Sequence, residues 1–137
     1  MELRVADIKQ YLYCPRVIYY TYVLPVERRV TFKMVSGREG HAEVDRLERR
    51  RTLARYRLEE GERRFRVPLR SERLGLSGVL DLLLVSPAGL FPVEYKVTEG
   101  GPMLNHKYQL VAYALLVEDA FGGVVRTGFL YLAPRRE

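Results

Sequence analysis

Cysteine is nearly absent: Cys14 is the one thiol in 137 residues. No intrachain disulfide and no cysteine-only metal site can form, a usage that fits a reducing cytoplasm. Long apolar runs are also missing. The 47% of residues that are hydrophobic are interrupted by 29% that are charged, too broken for a membrane span yet too apolar for disorder. No charged, apolar and small-residue succession opens the chain, so no secretory signal is expected. Internal repeats and low-complexity linkers are lacking, and 137 residues is one domain's length, so residues 1–137 are expected to form a single domain. What exceeds balance is positive charge: 23 Lys and Arg against 17 Asp and Glu leave +6. That surplus serves solubility or a polyanionic partner such as nucleic acid.

Gly and Pro divide the chain. Asp7 can cap a short helix to about Tyr13, and Pro15 suits the first turn of a second helix through Tyr22. From about Met34 to Leu58 the pattern is helical, with Val44, Leu47, Ala54 and Leu58 on one stripe and Arg49, Arg50, Arg51, Arg55 and Arg57 among Glu43, Asp45 and Glu48. Such a charged face is solvated or touches DNA, and Asp45 with Arg49 forms an i,i+4 pair. Arg64 to Leu69 alternates as an exposed strand would, and Leu74 to Val85 reads as a central strand with Asp81 in its middle. Ser86-Pro87-Ala88-Gly89 suits a type I turn, so Leu90 to Val97 should return antiparallel. Pro102 and Asn105 precede a helix to about Phe121, apolar on most faces from Leu110 to Val117 and therefore expected to be buried, and Val124 to Leu132 is a last strand. Helices, then strands, helix and strand suggest an α/β domain with a mixed central β-sheet and flanking helices.

The hairpin turns spacing into geometry. If Ser86 faces Gly89, Asp81 lies opposite Glu94, with Cβ atoms about 4.5 to 5.5 Å apart. Two carboxylates so placed repel and are costly to desolvate, and a cation between them removes both problems. Glu94 and Lys96 share one strand face while Phe91, Val93, Tyr95 and Val97 take the other. Hard oxygen ligands suit Mg²⁺ or Mn²⁺, and a lysine beside them can position water or offset developing charge during phosphodiester hydrolysis. The alternative is a structural ion pair between a buried carboxylate and Lys96. His41 falls one turn before Val44 on the apolar stripe, as an inward core histidine or a ligand. His106, beside Lys107, is expected at the surface. Gln109 and Tyr113 share a helix face, as a buried polar pair or as part of the site. Tyr19, Tyr20 and Tyr22 near Arg16 could stack bases or fill core.

Asp81 with Glu94-Tyr95-Lys96 resembles the split Asp and (Asp/Glu)-x-Lys signature of the restriction-like nucleases, and Gln109-Leu110-Val111-Ala112-Tyr113 resembles the Gln-x-x-x-Tyr motif of their RecB branch. Tyr13-Cys14-Pro15-Arg16 and Gly37-Arg38-Glu39-Gly40-His41 are similar to motifs of the CRISPR-associated RecB-like exonucleases (Cas4 type), and the likeness spans nearly the whole chain. It implies a restriction-endonuclease-like core and a metal-dependent DNA exonuclease acting on single-stranded ends, in CRISPR spacer acquisition or DNA processing, with CRISPR adaptation proteins as partners. It also implies Mg²⁺ or Mn²⁺ on His41, Asp81, Glu94 and the carbonyl of Tyr95, Lys96 as the catalytic lysine, and Gln109 and Tyr113 facing the site. Cys14 matches a family iron-sulfur ligand, but the usual three further cysteines are not in this chain, and a cluster needs about four ligands, so none is expected. Cys14 then reads as a small buried apolar residue. A rival reading keeps the fold in a non-catalytic DNA-binding or assembly subunit.

Overall fold

The unbroken apolar run around Asp81 needs cover on both faces, and the computed structural model supplies it. The structure describes residues 2–24, 41–49, 53–58, 60–97 and 104–133. Its elements are β1 (Leu3–Arg4), α1 (Val5–Tyr13), α2 (Pro15–Ile18) continued by a π-helical turn (Tyr19–Val23), α3 (residues 41–48), a 3₁₀ turn (Leu53–Tyr56), β2 (Glu62–Ser71), β3 (Leu76–Ser86), β4 (Gly89–Val97), α4 (Leu104–Phe121) and β5 (Phe129–Ala133). The mixed sheet runs β1-β3-β4-β5, with β2 along the other edge of β3. β1 pairs parallel with the start of β3, β4 pairs antiparallel with its end, and β5 pairs parallel with β4. The α/β expectation therefore holds.

Two cores sandwich the sheet. On one face Val5 of α1 and Ala112, Tyr113, Leu116 and Val117 of α4 meet Leu69, Leu80 and Leu83; on the other, Val44, Leu53 and Tyr56 meet Leu82, Leu84, Val93 and Tyr95. Leu80 and Leu82 are two apart, yet they pack on opposite faces, and so do Val67 and Phe65 across from them. Ordinary pleating would put residues two apart on one face. Both strands thus turn over together at Asp81 and Arg66, and Arg66 carries φ 52°, a left-handed conformation rare in a non-glycine strand residue. The ladder register is the same before and after, so no residue is inserted.

Several local expectations shift. Residues 34–40 lie outside the described region, and the described residues between 41 and 58 form no single helix: α3 gives way after residue 48, with a separate 3₁₀ turn at Leu53–Tyr56. Glu48, expected on a solvated face, is fully buried, receiving hydrogen bonds from the Tyr56 hydroxyl at 2.9 Å and Arg63 Nε at 2.8 Å. That pair of donors compensates a charge that burial would otherwise penalise, and it ties α3 to β2. The first helix begins at Val5; Asp7, in its first turn, caps it by accepting the Arg4 N–H at 2.8 Å. α4 buries His106, Gln109, Ala112, Tyr113, Leu116 and Val117, whereas Leu104, Tyr108, Val111 and Leu115 form an exposed apolar stripe, so the helix is buried on one side only. The last strand starts at Phe129, because Gly122 and Gly123 turn the chain through positive φ and Glu118 Oε2 holds the Val125 N–H at 2.8 Å. Among the described residues no helix is long and apolar enough to cross a membrane.

Gly78 shows how tightly α1 and α4 seat on β3. A Cβ there would lie 3.0 Å from both Tyr113 Cε1 and Val5 Cγ2. Val5 is fully buried, and Tyr113 is held by its hydroxyl's hydrogen bond to the Val79 carbonyl, so neither can retreat freely. Gly78→Ala should lower the stability by about 1 to 3 kcal/mol, the usual cost of overpacking, in urea unfolding followed by circular dichroism. An unchanged midpoint would show that the α1–α4 seat is looser than these distances indicate.

Candidate active site

β3 and β4 are laddered from Ser86 and Gly89 up to Leu82 and Val93, the register the turn predicted. Beyond it the ladder ends. The Asp81 carboxylate inserts there, and its Oδ2 accepts the Tyr95 backbone N–H at 2.8 Å. Asp81 and Glu94 are buried, 7% and 5% exposed, and their carboxyl groups act on each other. The surroundings shift the two acids in opposite directions. Burial raises the Glu94 carboxyl first of all, and the Asp81 charge raises it further. For Asp81 burial pushes upward too, but hydrogen bonds from His41 and Glu94, the His41 charge and the Tyr95 N–H together hold it low.

His41, on α3, places Nδ1 3.5 Å from Asp81 Oδ1 and its ring edge-to-face with Tyr95, centroids 5.8 Å apart. Lys96 lies beyond Glu94 on β4. Burial pulls its ammonium down in pKa, against the opposing pull of Glu94. The Tyr95 side chain packs in the opposite core, as its alternation predicted. From α4, Tyr113 donates to the Val79 carbonyl at 2.9 Å, the ladder neighbour of Val79 being Pro68, which has no N–H. Burial raises the Tyr113 phenol, and the charges of Glu94 and Asp81 reach it as well. Gln109, one turn earlier, is buried, with Oε1 lacking a hydrogen-bond partner.

Other expectations are corrected. His106 is not a surface residue but 7% exposed; burial, then the charges of Lys96 and Lys9, lower its pKa. Cys14 is half-buried at the junction of α1 and α2 and is not a core residue. Tyr19 and Tyr20 are exposed and edge-to-face, while the Tyr22 hydroxyl bonds to Asp7. Asp45 pairs with Arg66, whose NH2 lies 2.6 Å from Asp45 Oδ2 and whose NH1 lies 3.4 Å from Asp81 Oδ1, and the Arg49 charge acts on Asp45 more weakly. Arg49 sits instead over the Phe65 ring, 4.7 Å from its centroid. Arg66 and Asp45 escaped a reading by motif, although extending the β3 register back through the Glu72–Gly75 turn puts Arg66 across from Asp81, and Asp45 is one turn past His41.

Among the described residues no three His, Cys, Asp or Glu side chains are gathered closely enough to form a ready-made metal cage. The donors present still fit a small hard cation: Asp81 and Glu94 converge at one opening, and Glu94 Oε2 is buried without a hydrogen-bond partner. Mg²⁺ and Mn²⁺ commonly take one or two protein carboxylates and keep several waters.

Comparison with known proteins agrees with this geometry. Residues 26–136 match the PD-(D/E)XK nuclease superfamily. The chain is similar to a CRISPR-associated exonuclease Cas4 of Francisella tularensis subsp. novicida (strain U112), 36% identical over 130 residues, covering 95% of this chain and 66% of that protein. It is also similar to a CRISPR-associated exonuclease Cas4 of Aeropyrum pernix, 37% identical over 125 residues, covering 86% of this chain and 61% of that one. A third likeness is to a CRISPR-associated exonuclease Cas4/endonuclease Cas1 fusion of Rhodospirillum rubrum, 42% identical over 77 residues, 53% of this chain and 13% of the fusion. The chain therefore spans less than two thirds of the length of these curated relatives.

The opposite shifts of the two acids make a pH prediction. Glu94 is raised above its usual 4.5, so its contribution to stability is full below that pH and is lost as pH climbs toward its raised value. Asp81 is lowered, so its own contribution is lost only in strong acid. In EDTA the melting temperature of the parent should fall between about pH 6 and about pH 9, and Glu94→Gln, which keeps a donor and cannot ionise, should flatten that decline. Parallel curves for the two proteins would place the proton elsewhere.

Proposed function

The chain belongs to the PD-(D/E)XK nuclease superfamily, and from that premise we propose that it is a divalent-metal-dependent deoxyribonuclease, an exonuclease acting on single-stranded DNA ends in CRISPR spacer acquisition or DNA processing. The observation that carries the reading is the opposition of Asp81 and Glu94 where the β3–β4 ladder opens, with Lys96 on the Glu94 face of β4. PD-(D/E)XK nucleases generally use divalent metals. Here Asp81 and Glu94 would hold Mg²⁺ or Mn²⁺, with His41 and the Tyr95 carbonyl completing the ligand set. Such a cation, when bound, polarises a phosphate and acidifies water.

The protein's own groups supply the rest. The Tyr95 N–H fixes the Asp81 carboxylate, so its ligating oxygens are already oriented. Lys96, drawn toward neutrality by burial, can orient a water or offset charge developing on the phosphate. The Tyr113 hydroxyl pins Val79, two residues before Asp81, and so keeps β3 in place beneath the site, while Gln109, buried on the same helix face, is suited to holding Lys96 or the strand. Net charge of +6 favours a polyanionic substrate. The likeness to a protein fusing this exonuclease to an endonuclease Cas1 supports CRISPR adaptation proteins as partners. A cytoplasmic setting accords with the single cysteine.

One observation favours a second reading, a non-catalytic DNA-binding or assembly subunit: His41 and Arg66 both rest on Asp81, and among the described residues no cage of three ligating side chains stands ready. Cleavage of a labelled single-stranded oligonucleotide with Mn²⁺ or with EDTA separates the two. Asp81→Asn, Glu94→Gln and Lys96→Ala should each reduce Mn²⁺-dependent cleavage by about a hundredfold or more, as loss of transition-state charge stabilisation does, and Tyr113→Phe by less than about tenfold. Undiminished cleavage by Asp81→Asn would remove the site; binding without cutting by the parent would favour the second reading. Cys14 alone cannot hold a cluster, so the purified chain should show no iron-sulfur absorption, and stoichiometric iron in the monomer would contradict this.

A further inference from the structure

Arg66 has no part in the chemistry described so far, yet the fold makes room for it at some cost. It sits mid-strand with φ 52°, facing Asp81 where both strands turn over, and a residue held in that conformation away from any turn points to function. Its guanidinium is shared unevenly. NH2 makes a short contact with Asp45 Oδ2, 2.6 Å, whereas NH1 reaches the Asp81 carbonyl and Oδ1 only at 3.4 Å. The arginine is therefore anchored on Asp45 and rests against Asp81. Its side chain is 42% exposed, open to a ligand arriving at the site. α3 carries both His41 and Asp45, one turn apart, so the helix that brings His41 to Asp81 also brings the anchor. A second oxygen of the anchor, Asp45 Oδ1, is buried without a hydrogen-bond partner.

Resting on the nuclease reading, we propose that Arg66 is a substrate-positioning residue: it serves as the resident counter-charge of Asp81, yields that carboxylate to a divalent cation, and turns its free N–H groups to a phosphate of the nucleic-acid strand while Asp45 keeps hold of it. A guanidinium suits the exchange, since its planar fork of five donors serves a carboxylate and a phosphate at once. Two unit positive charges cannot both lie close to one carboxylate without repelling, so an arriving cation displaces the weaker of the two Arg66 contacts.

Two binding measurements test this without cleavage. Mn²⁺ alone is titrated calorimetrically into metal-free parent, Arg66→Ala and Arg66→Gly; binding of a fluorescent single-stranded oligonucleotide is then followed by anisotropy at saturating Mn²⁺ over a range of salt, with Lys96→Ala added to each protein so that the strand is not cut. Glycine adopts positive φ freely, so Arg66→Gly removes the guanidinium while keeping the local backbone. Both variants should bind Mn²⁺ about three- to tenfold more tightly, because a competing charge is gone. Both should bind the oligonucleotide more weakly, with the slope of log affinity against log salt reduced by about 0.7, the value of one phosphate contact on a single strand. Unchanged or weaker Mn²⁺ binding in both variants, or an unchanged salt slope, overturns the proposal. A parent that binds Mn²⁺ and DNA without cutting, with both variants shifted as stated, supports it and refutes hydrolysis. A parent that binds neither overturns both.

Discussion

The Asp81 carboxylate placed edge-on between β3 and β4 is the interaction on which the remainder of the architecture turns. By taking the Tyr95 N–H it replaces a ladder hydrogen bond with a side-chain one, which lets the strands part without leaving a buried donor unmet. The parting creates the opening toward which Glu94 is directed. It also brings His41 from one helical layer, and the Tyr113 anchor from the other, within reach of a single point in the sheet.

That point is electrostatically crowded, and burial decides how the crowding resolves. The Glu94 carboxyl is pushed up because its charge would be desolvated beside another. Asp81 stays ionised because it has the larger share of donors. The two acids of the signature are thus made unequal by their neighbours, one an acceptor of the Tyr95 N–H and the other with a buried oxygen that has no hydrogen-bond partner. Behind them, Glu48 with Arg63 and Tyr56 forms a second buried polar knot that stabilises the placement of α3 and, with it, of His41.

The hairpin of Asp81 and Glu94 was legible from sequence because the Ser86–Gly89 turn sets the register locally, and Leu82 with Val93 fall where that turn puts them. The motif residues followed from it. What was illegible depends on contacts between distant segments or on unusual backbone. No periodicity reveals that Phe65 and Val67 take opposite faces, since the inversion lies in the φ of Arg66. The charges of Asp45 and Glu48 looked like an ordinary solvated stripe until β2 supplied Arg66 and Arg63 as partners. Likewise α4 is apolar on most faces from Leu110 to Val117, but the described chain covers only the side carrying Tyr113 and Leu116.

The gap in the β3 ladder has a consequence for solubility as well. Between Ser77, the last residue paired with β1, and Leu82, the first paired with β4, one edge of β3 has no strand against it among the described residues, and Gly78-Val79-Leu80 there is apolar enough to invite one. Exposed edges of this kind template aggregation, and natural sheets guard them with inward-pointing charge. Asp81 and Glu94, both buried, stand at that position with Lys96, so an intruding strand would meet ionisable groups where it needs apolar surface. The polar constellation at the heart of this sheet is also what keeps other chains from joining it.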